Sequence, residues 1–162
     1  MNEHGIKNLR INFSVIVCSS TRNKDNDASG AEIRNLLQNA GHAVTFYEVI
    51  PDNIDLIMET SLKALELSEA LIISGGTGIT SHDVTVEALR KISSKEIRGF
   101  GITFTMMSYQ QIGTSAIMSG STAFLVGRKP VFCLPGSPSG AALGVEGIIL
   151  KEIDHIMHEA GR

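Results

Sequence analysis

The first half of the chain alternates short apolar runs with segments whose apolar residues recur at helical spacing, and this alternation constrains the fold most. Strand patterns cover 12–20, 42–52 and 69–76, and helical patterns follow at 28–41, 53–67 and 84–93. The third run contains ALII without a polar break, as expected for a strand covered on both faces of its sheet. Repeated strand–helix units place successive strands in parallel. We therefore expect an α/β fold of three layers, with a mostly parallel, doubly wound sheet between helices.

The second half of the chain is less regular. The Gly-, Ser- and Met-rich segment 99–122 is expected to contain helical pieces. Segment 122–136 has two apolar runs separated by GRKP, which predicts a hairpin that adds an antiparallel edge to the sheet. A long helix is expected at 140–161. A length of 162 residues with 43% hydrophobic content is typical of one domain, 1–162, of which 1–11 are expected to form a flexible N-terminal extension.

Charge and hydropathy narrow the classes of partner. The formal net charge is -3 and no block of lysines or arginines occurs, which argues against a nucleic-acid surface. No apolar stretch reaches the roughly twenty residues that a membrane span needs, and the N-terminus has no apolar signal region. We therefore expect a cytoplasmic protein with a small-molecule ligand. Cys18 and Cys133 lie inside apolar strand patterns, so we expect two buried, reduced thiols.

Two glycine-rich loops are expected at the same edge of the sheet. The first glycine loop, GGTGITSHD (75–83), follows the third strand, and the second glycine loop, LPGSPSG (134–140), precedes the closing helix. Ligands of open α/β sheets bind at the carboxyl ends of the strands, and backbone N–H groups beside a helix N-terminus favour an anion. Glycines that only make tight turns are the alternative. Neither loop has the Walker or Rossmann spacing, which argues against a nicotinamide oxidoreductase.

Two aspartates stand beside these loops. Asp52 ends the second strand pattern, and Asp83 ends the first glycine loop directly before a helix. Helix capping is the simpler interpretation, because Asp is favoured at helix N-termini. Alternatively, Asp83 faces phosphates, where a carboxylate would be repelled unless a divalent cation stood between them. A magnesium-bound nucleotide would meet that condition.

At these residues the sequence resembles the molybdenum cofactor biosynthesis proteins of the molybdopterin adenylyltransferase type, the MoaB/Mog family. The resemblance runs from Val15 to about Ile156, and the order and spacing of several motifs agree together. These motifs are DASG (27–30), IPD (50–52), SGGTGITSHDVTVEAL (74–89), EIRGFGITF (96–104), MSYQQIGTSAIMSG (107–120) and CLPGSPSGAALGVEGIILKEI (133–153).

The resemblance implies an activity and a site. The implied reaction is the Mg-ATP-dependent adenylylation of molybdopterin, in which the terminal phosphate of the pterin attacks the α-phosphate of ATP and pyrophosphate leaves. It implies catalytic roles for Asp52 and Asp83, with Asp83 as the Mg²⁺ ligand. Substrate binding is implied for Ser20, Ser29, Gly30, Gly75, Gly76, Thr77, Gly78, Ser108, Pro135, Gly136, Ser137 and Ser139.

The sequence departs from the family pattern at four positions. Members commonly carry arginines where this chain has Thr105 and Gly120, an aspartate at Ala31 and a basic residue at His82. Loss of fixed cations near a polyphosphate removes charge-assisted hydrogen bonds. The departures therefore leave a second hypothesis open, a non-catalytic molybdopterin-binding carrier or scaffold of the same fold.

The last expectations concern side chains that could replace the missing positive charge and the partners of the protein. Arg22, Arg128 and Lys129 are candidates for the missing positive charge, although turn residues of this kind are commonly solvated. The resemblance also implies a homotrimer, with a hexamer as the alternative, and the Met-rich segment 102–118 is a plausible contact surface. Other cofactor-synthesis proteins are implied partners, because the adenylylated pterin is handed on.

Overall fold

A six-stranded sheet in the order β2-β1-β3-β6-β5-β4 organises residues 9–162, the part of the chain that the computed structural model describes. Its strands are β1 (Asn12–Cys18), β2 (Ala43–Ile50), β3 (Ala70–Ser74), β4 (Lys95–Glu96), β5 (Thr122–Val126) and β6 (Lys129–Leu134). The helices are α1 (Ala28–Asn39), α2 (Ile54–Glu66), α3 (Thr85–Ile92), α4 (Arg98–Ile112), α5 (Pro138–Gly144) and α6 (Leu150–Ala160). The predicted three-layer α/β class is confirmed.

The first half of the chain forms the parallel part of the sheet. Strand β1 pairs in parallel with β2 and with β3, and β3 pairs in parallel with β6. All five residues of β3 are buried, because helices cover both faces of the sheet. The three strand–helix units predicted from the sequence are therefore present in the predicted order.

The predicted hairpin joins β5 to β6. Gly127, with a φ of +62°, and Arg128 form the two-residue turn between the strands. Strand β6 lies inside the sheet beside β3, whereas β5 runs antiparallel to it and begins the antiparallel edge. The sequence did not predict β4, a two-residue strand that pairs with β5 at the outer edge. A strand this short has no hydrophobic period to detect.

Two long helical segments cover the sheet in the second half. Helix α4 continues directly into a 3₁₀ turn at Gly113–Met118, so segment 99–122 is mostly helical, as expected. The predicted closing helix consists of α5, a π-helical turn at Val145–Ile149, and α6. A Cβ on Gly147 would lie 2.4 Å from the terminal methyl group of Met107, so the closing segment packs closely against the Met107 side chain of α4.

Side chains on the two faces of the sheet form two hydrophobic cores. On one face, Ile72 and Phe132 pack with residues of α1, α4, α5 and α6. On the other face, Ile73 and Cys133 pack with residues of α2 and α3. Alternation along β3 and β6 thus supplies both cores, as strand geometry requires.

Two further expectations concern the N-terminal extension and the absence of a membrane-spanning helix. Residues 1–8, most of the predicted N-terminal extension, lie outside the described residues. Within the described part, Ile11 is 2% exposed and belongs to the first core, so the packed structure begins before Asn12. None of the helices between residues 9 and 162 combines the length and apolar content that a membrane crossing requires.

Candidate functional site

Most of the predicted site residues converge on one cavity of about 900 Å³ beyond the carboxyl ends of the parallel strands. The two glycine loops and the loop after β1 form its walls, together with the C-terminal part of α4. The predicted residues that line it are Ser20, Asp52, Gly75, Gly76, Thr77, Gly78, Asp83, Ser108, Pro135, Gly136, Ser137 and Ser139. We call this space the strand-end cavity.

The first glycine loop is shaped by two residues that only glycine fits. Gly75 and Gly76 have φ values of +96° and +70°. A Cβ on Gly75 would lie 2.3 Å from the Cys18 carbonyl oxygen, and one on Gly76 would lie 2.2 Å from Thr85 Oγ1. Thr85 donates from its hydroxyl to the Gly75 carbonyl (2.8 Å) and from its N–H to the Gly76 carbonyl (3.1 Å). Because C=O and N–H of a trans peptide point oppositely, the N–H groups of Gly76 and Thr77 face away from α3 and can donate to an anion.

The second glycine loop begins α5 and touches the first glycine loop. Ser137 caps α5, since its hydroxyl accepts from the N–H of Gly140 (3.1 Å). The Gly75 N–H donates to the Leu134 carbonyl (2.9 Å), and a Cβ on Gly136 would lie 3.4 Å from the Cα of Gly75. The two loops therefore form one continuous wall, with hydroxyl and amide groups beside the start of a helix.

Asp52 is not a helix cap. The side chain of the next residue, Asn53, accepts the Leu56 N–H (2.9 Å) and caps α2. The Asp52 carboxylate instead accepts a hydrogen bond from the Ser20 hydroxyl (3.0 Å), and the Asp52 N–H donates to the same hydroxyl oxygen (3.3 Å). This pair joins the loops after β1 and β2 and places a carboxylate in the cavity.

Asp83 closes the first glycine loop on itself. One carboxylate oxygen accepts both the N–H (3.0 Å) and the hydroxyl (2.7 Å) of Thr80. The Thr80 hydroxyl, with the amides of Thr80 and Gly78, holds the pKa of Asp83 below its usual value, against the opposing effect of burial. Thr80 donates no hydrogen bond to the second carboxylate oxygen. The side chain is therefore ionised at neutral pH and can bind a cation while it shapes the loop.

Positive charge in the cavity comes from Arg22. Among the lining residues between positions 9 and 162, it is the only lysine or arginine, and its guanidinium donates to the Gly136 carbonyl (2.9 Å). Lys129 instead donates to carbonyls at the end of α2, and Arg128 donates to the Gly161 carbonyl (3.1 Å). Of the three candidate cations, only Arg22 reaches the cavity.

Ser29 and Gly30, also expected to bind substrate, do not line the strand-end cavity. Both are buried in the first turn of α1, where Gly30 donates its N–H to the capping carboxylate of Asp27 (2.9 Å). The DASG motif therefore builds a helix start, and the proposed binding set omits these two residues. The same Asp27 carboxylate accepts from the Tyr47 hydroxyl (2.5 Å), a contact between distant segments that the sequence does not reveal.

Several lining residues were not predicted. They are Ser19, Thr21, Phe104, Gln111, Ile112, Ser115, Met118, Ser119, Gly140 and Leu143. Cys18, Arg22 and His82 also line the cavity, although the sequence did not assign them to the site. Burial raises the pKa of the Cys18 thiol to about 12. The thiol is therefore neutral and a poor nucleophile, consistent with the expectation of reduced, buried cysteines.

Comparison with known proteins decides the family. The family described as "Probable molybdopterin binding domain" matches residues 14–155, most of the chain. The chain belongs to this family. It is 39% identical over 155 residues to molybdenum cofactor biosynthesis protein B of Bacillus cereus, covering 94% of this chain and 92% of the relative. The corresponding protein of Bacillus subtilis is 38% identical over 152 residues, covering 92% and 89%.

Solved structures of the molybdopterin-binding family share the fold. A crystal structure of a molybdenum cofactor biosynthesis protein B superposes with a TM-score of 0.92 at 38% identity, over 96% of this chain and 99% of that one. The tungsten cofactor synthesizing protein MoaB from Pyrococcus furiosus gives a TM-score of 0.87 at 30% identity, over 94% and 98%. The family resemblance inferred from the motifs is confirmed.

The positions at which this chain departs from the family pattern lie mostly outside the strand-end cavity. Thr105 and Gly120 line a second cavity, of about 830 Å³, on the other side of α4. The Thr105 hydroxyl donates to the Gly101 carbonyl within the helix (2.8 Å). Ala31 lies in the first turn of α1, and only His82 lines the strand-end cavity.

Proposed function

We propose that this protein acts in molybdenum or tungsten cofactor biosynthesis and adenylylates molybdopterin with Mg-ATP at the strand-end cavity. The observation that carries the proposal is the convergence, on one cavity, of two aspartates, one arginine and two glycine loops that present amides and hydroxyls. Family membership and the names of the relatives support molybdopterin as the ligand. The product would be adenylyl-molybdopterin, with release of pyrophosphate.

The cavity suits a magnesium ion that arrives with a nucleotide. No cluster of three or more His, Cys, Asp or Glu side chains able to hold a metal is found over residues 9–162. Mg²⁺ commonly binds through one or two carboxylates plus substrate phosphates, and Asp83 and Asp52 are carboxylates of this kind. Asp83 would be the first ligand, because it lines the cavity at the end of the first glycine loop and Thr80 donates to only one of its oxygens. Bound Mg²⁺ would neutralise charge on the phosphates and polarise the phosphorus that is attacked.

The protein's own residues would contribute position and charge. Amides of the first glycine loop would hold phosphate oxygens of ATP, and Arg22 would offset charge that develops on the transferring group. The second glycine loop, with Ser137 and Ser139, would hold the phosphate of the pterin. Alignment of two bound reactants can supply about 7–11 kcal/mol of barrier lowering, so the transfer needs no protein nucleophile. The neutral Cys18 thiol fits that mechanism.

A charge-deletion experiment tests this function. Asp83→Asn keeps the size of the side chain and an acceptor for Thr80, but removes the charge that would bind Mg²⁺. We expect wild-type protein to release pyrophosphate when given Mg-ATP and molybdopterin, and Asp83→Asn to lose at least about 100-fold in rate. Asp55→Asn is the matched control, because Asp55 is an exposed carboxylate in the first turn of α2 that does not line the cavity. Full activity of folded Asp83→Asn would refute the site.

A carrier without catalysis is the second candidate function. It is favoured because Arg22 is the only arginine or lysine side chain that reaches the strand-end cavity from the described residues. A carrier would bind molybdopterin but show no ATP binding by calorimetric titration and no pyrophosphate release. Binding of both ligands with pyrophosphate release would exclude it.

We also propose that α4 forms a contact between copies of the chain, in a trimer or in a hexamer made of two trimers. Ten large apolar side chains in the described part are exposed, and six of them lie within 102–118. Of these six, Ile112 and Met118 line the strand-end cavity, whereas Ile102, Met106 and Tyr109 lie together at the second cavity on the other side of α4. An apolar patch of this kind commonly marks a protein contact. Sedimentation analysis should show an oligomer that Ile102→Glu dissociates and Leu62→Glu, an equally apolar exposed site on α2, does not. A monomeric wild-type protein would refute this contact.

A further inference from the structure

A buried chain of hydroxyl groups lies behind the wall of the strand-end cavity. Ser74, the last residue of β3, donates from its hydroxyl to the Pro135 carbonyl (2.9 Å) in the second glycine loop. Its oxygen lies 3.1 Å from Ser29 Oγ, which in turn lies 3.3 Å from a carboxylate oxygen of Asp27. Ser29 and Ser74 are both fully buried. This chain of hydroxyl groups links the start of α1, the end of β3 and the loop after β6.

The two serine hydroxyls have different roles in this chain of hydroxyl groups. Two hydroxyl protons serve three contacts, and the Ser74 proton is used by the Pro135 carbonyl. The single Ser29 hydroxyl proton is shared between the Asp27 carboxylate, to which it donates at 3.3 Å, and the Ser74 oxygen at 3.1 Å. Asp27 is not left without partners, because it accepts from the Gly30 N–H and the Tyr47 hydroxyl. Ser74 therefore donates to Pro135, and Ser29, held by the start of α1, packs its hydroxyl against the Ser74 oxygen and supports it in that position.

Ser74 also stands where the two glycine loops meet. It directly precedes Gly75, whose N–H donates to the carbonyl of Leu134 (2.9 Å). The hydroxyl bond and the backbone bond thus attach Ser74, at the end of β3, and Gly75, the next residue, to adjacent carbonyls of the second glycine loop. Two bonds at adjacent positions fix an orientation as well as a distance, whereas one bond would act as a hinge.

We infer that Ser74 is a positioning residue that, supported by Ser29, fixes the second glycine loop against the first. The consequence for catalysis rests on the proposed function, in which each loop holds one reactant. Loss of the Ser74 hydroxyl leaves the amides of both loops in place, so each reactant still binds. The alignment between the reactants is lost, and a misplacement of about 1 Å can cost roughly 100-fold in rate. Ser74 therefore affects the transfer step more than the affinities.

A second buried serine elsewhere in the protein is a matched control for the loss of a buried hydroxyl. Ser14, in β1, is also fully buried, and its hydroxyl lies 3.0 Å from the Ala64 carbonyl and 2.8 Å from Ser68 Oγ. None of these three residues lines the strand-end cavity. Ser14→Ala and Ser74→Ala each delete one buried hydroxyl from a serine pair, so both should lower the melting temperature by similar amounts. They differ in whether the lost bond holds a loop.

The experiment combines hydrogen exchange with binding and turnover. In Ser74→Ala, we expect faster amide exchange in both glycine loops, with kcat for pyrophosphate release at least about tenfold lower. The Kd values for Mg-ATP and for molybdopterin should stay within about threefold of wild type. Ser14→Ala should leave loop exchange and kcat unchanged. Ser29→Ala should give a smaller effect than Ser74→Ala, because the bond to Pro135 remains.

Two results would overturn the inference. One is unchanged exchange in the loops of folded Ser74→Ala, and the other is an equal change in Ser14→Ala. Hydrogen exchange needs no ligand, so it tests the positioning role even if the wild-type protein makes no pyrophosphate. In that case the proposed function fails while the exchange comparison still decides the role of Ser74.

Discussion

Gly75→Ala perturbs the first glycine loop where it lies closest to β1. Gly75 has a φ of +96°, and a Cβ there would lie 2.3 Å from the backbone oxygen of Cys18. Gly41, after α1, has nearly the same φ of +89°, but a Cβ there would meet nothing within 4 Å. The pair therefore separates the conformational cost of a side chain from the cost of a steric clash.

The expected magnitudes follow from these two terms. A left-handed backbone costs an alanine about 1–2 kcal/mol, and both variants share this term. The clash at Gly75 involves backbone atoms, which cannot rotate away, and overpacking of this kind costs about 1–3 kcal/mol more. We expect a loss of about 1–2 kcal/mol in unfolding free energy for Gly41→Ala and about 2–5 kcal/mol for Gly75→Ala.

Urea unfolding followed by circular dichroism measures both values. Titration with Mg-ATP adds a functional comparison, because only Gly75→Ala moves the amides that we assign to phosphate binding. We expect Gly41→Ala to bind like wild type. If Gly75→Ala were as stable as Gly41→Ala and bound Mg-ATP normally, the packing of the loop against β1 would not matter as argued.

Three further predictions concern the titration of Tyr47, the reactivity of the two thiols and the amine of Lys129. Burial and the hydrogen bond to Asp27 raise the pKa of Tyr47 to about 12 from its usual 10.0, so the protonated hydroxyl stabilises the folded state below pH 10, and this contribution is lost as the pH rises to 12. Tyr47→Phe should remove this dependence of the unfolding free energy on pH between 10 and 12. The same pH dependence in the variant would contradict the prediction. Burial raises the pKa of the Cys18 thiol, which therefore stays protonated at pH 8, and Cys133 is fully buried. Ellman's reagent should label both thiols only in urea, and fast labelling of the folded protein would refute this. Lys129→Met leaves two carbonyls at the end of α2 without their donor and should cost about 1–3 kcal/mol of unfolding free energy; an unchanged urea midpoint would contradict it.

Most of the fold could be predicted from local patterns in the sequence. The apolar run of β3 and the two-residue turn at Gly127 lie within short windows, so periodicity and turn chemistry predict them. The two-residue strand β4 has no such pattern. It exists because Lys95 and Glu96 meet β5 across a segment of the chain about 25 residues long, a contact that no local window contains.

The residues of the site also fall into two groups, those that local patterns predict and those whose position depends on distant contacts. Residues of the two glycine loops were predicted because strand ends and glycines mark them locally. The position of Ser29 outside the cavity lining could not be predicted, because its buried partner Ser74 lies 45 positions away. The place of Arg22 in the cavity depends on a contact with Gly136 across 114 positions. Side chains whose role is set by distant partners need the tertiary structure.

The fate of the α-phosphate of ATP tests the central claim most directly. Wild-type protein would be incubated with molybdopterin, Mg²⁺ and ATP labelled at either the α- or the γ-phosphorus. We predict that the α-label passes to the pterin, that the γ-label leaves in pyrophosphate, and that both events stop when Mg²⁺ is chelated. Molybdopterin that stays bound while both labels remain in ATP would contradict adenylylation at the strand-end cavity and would favour the carrier.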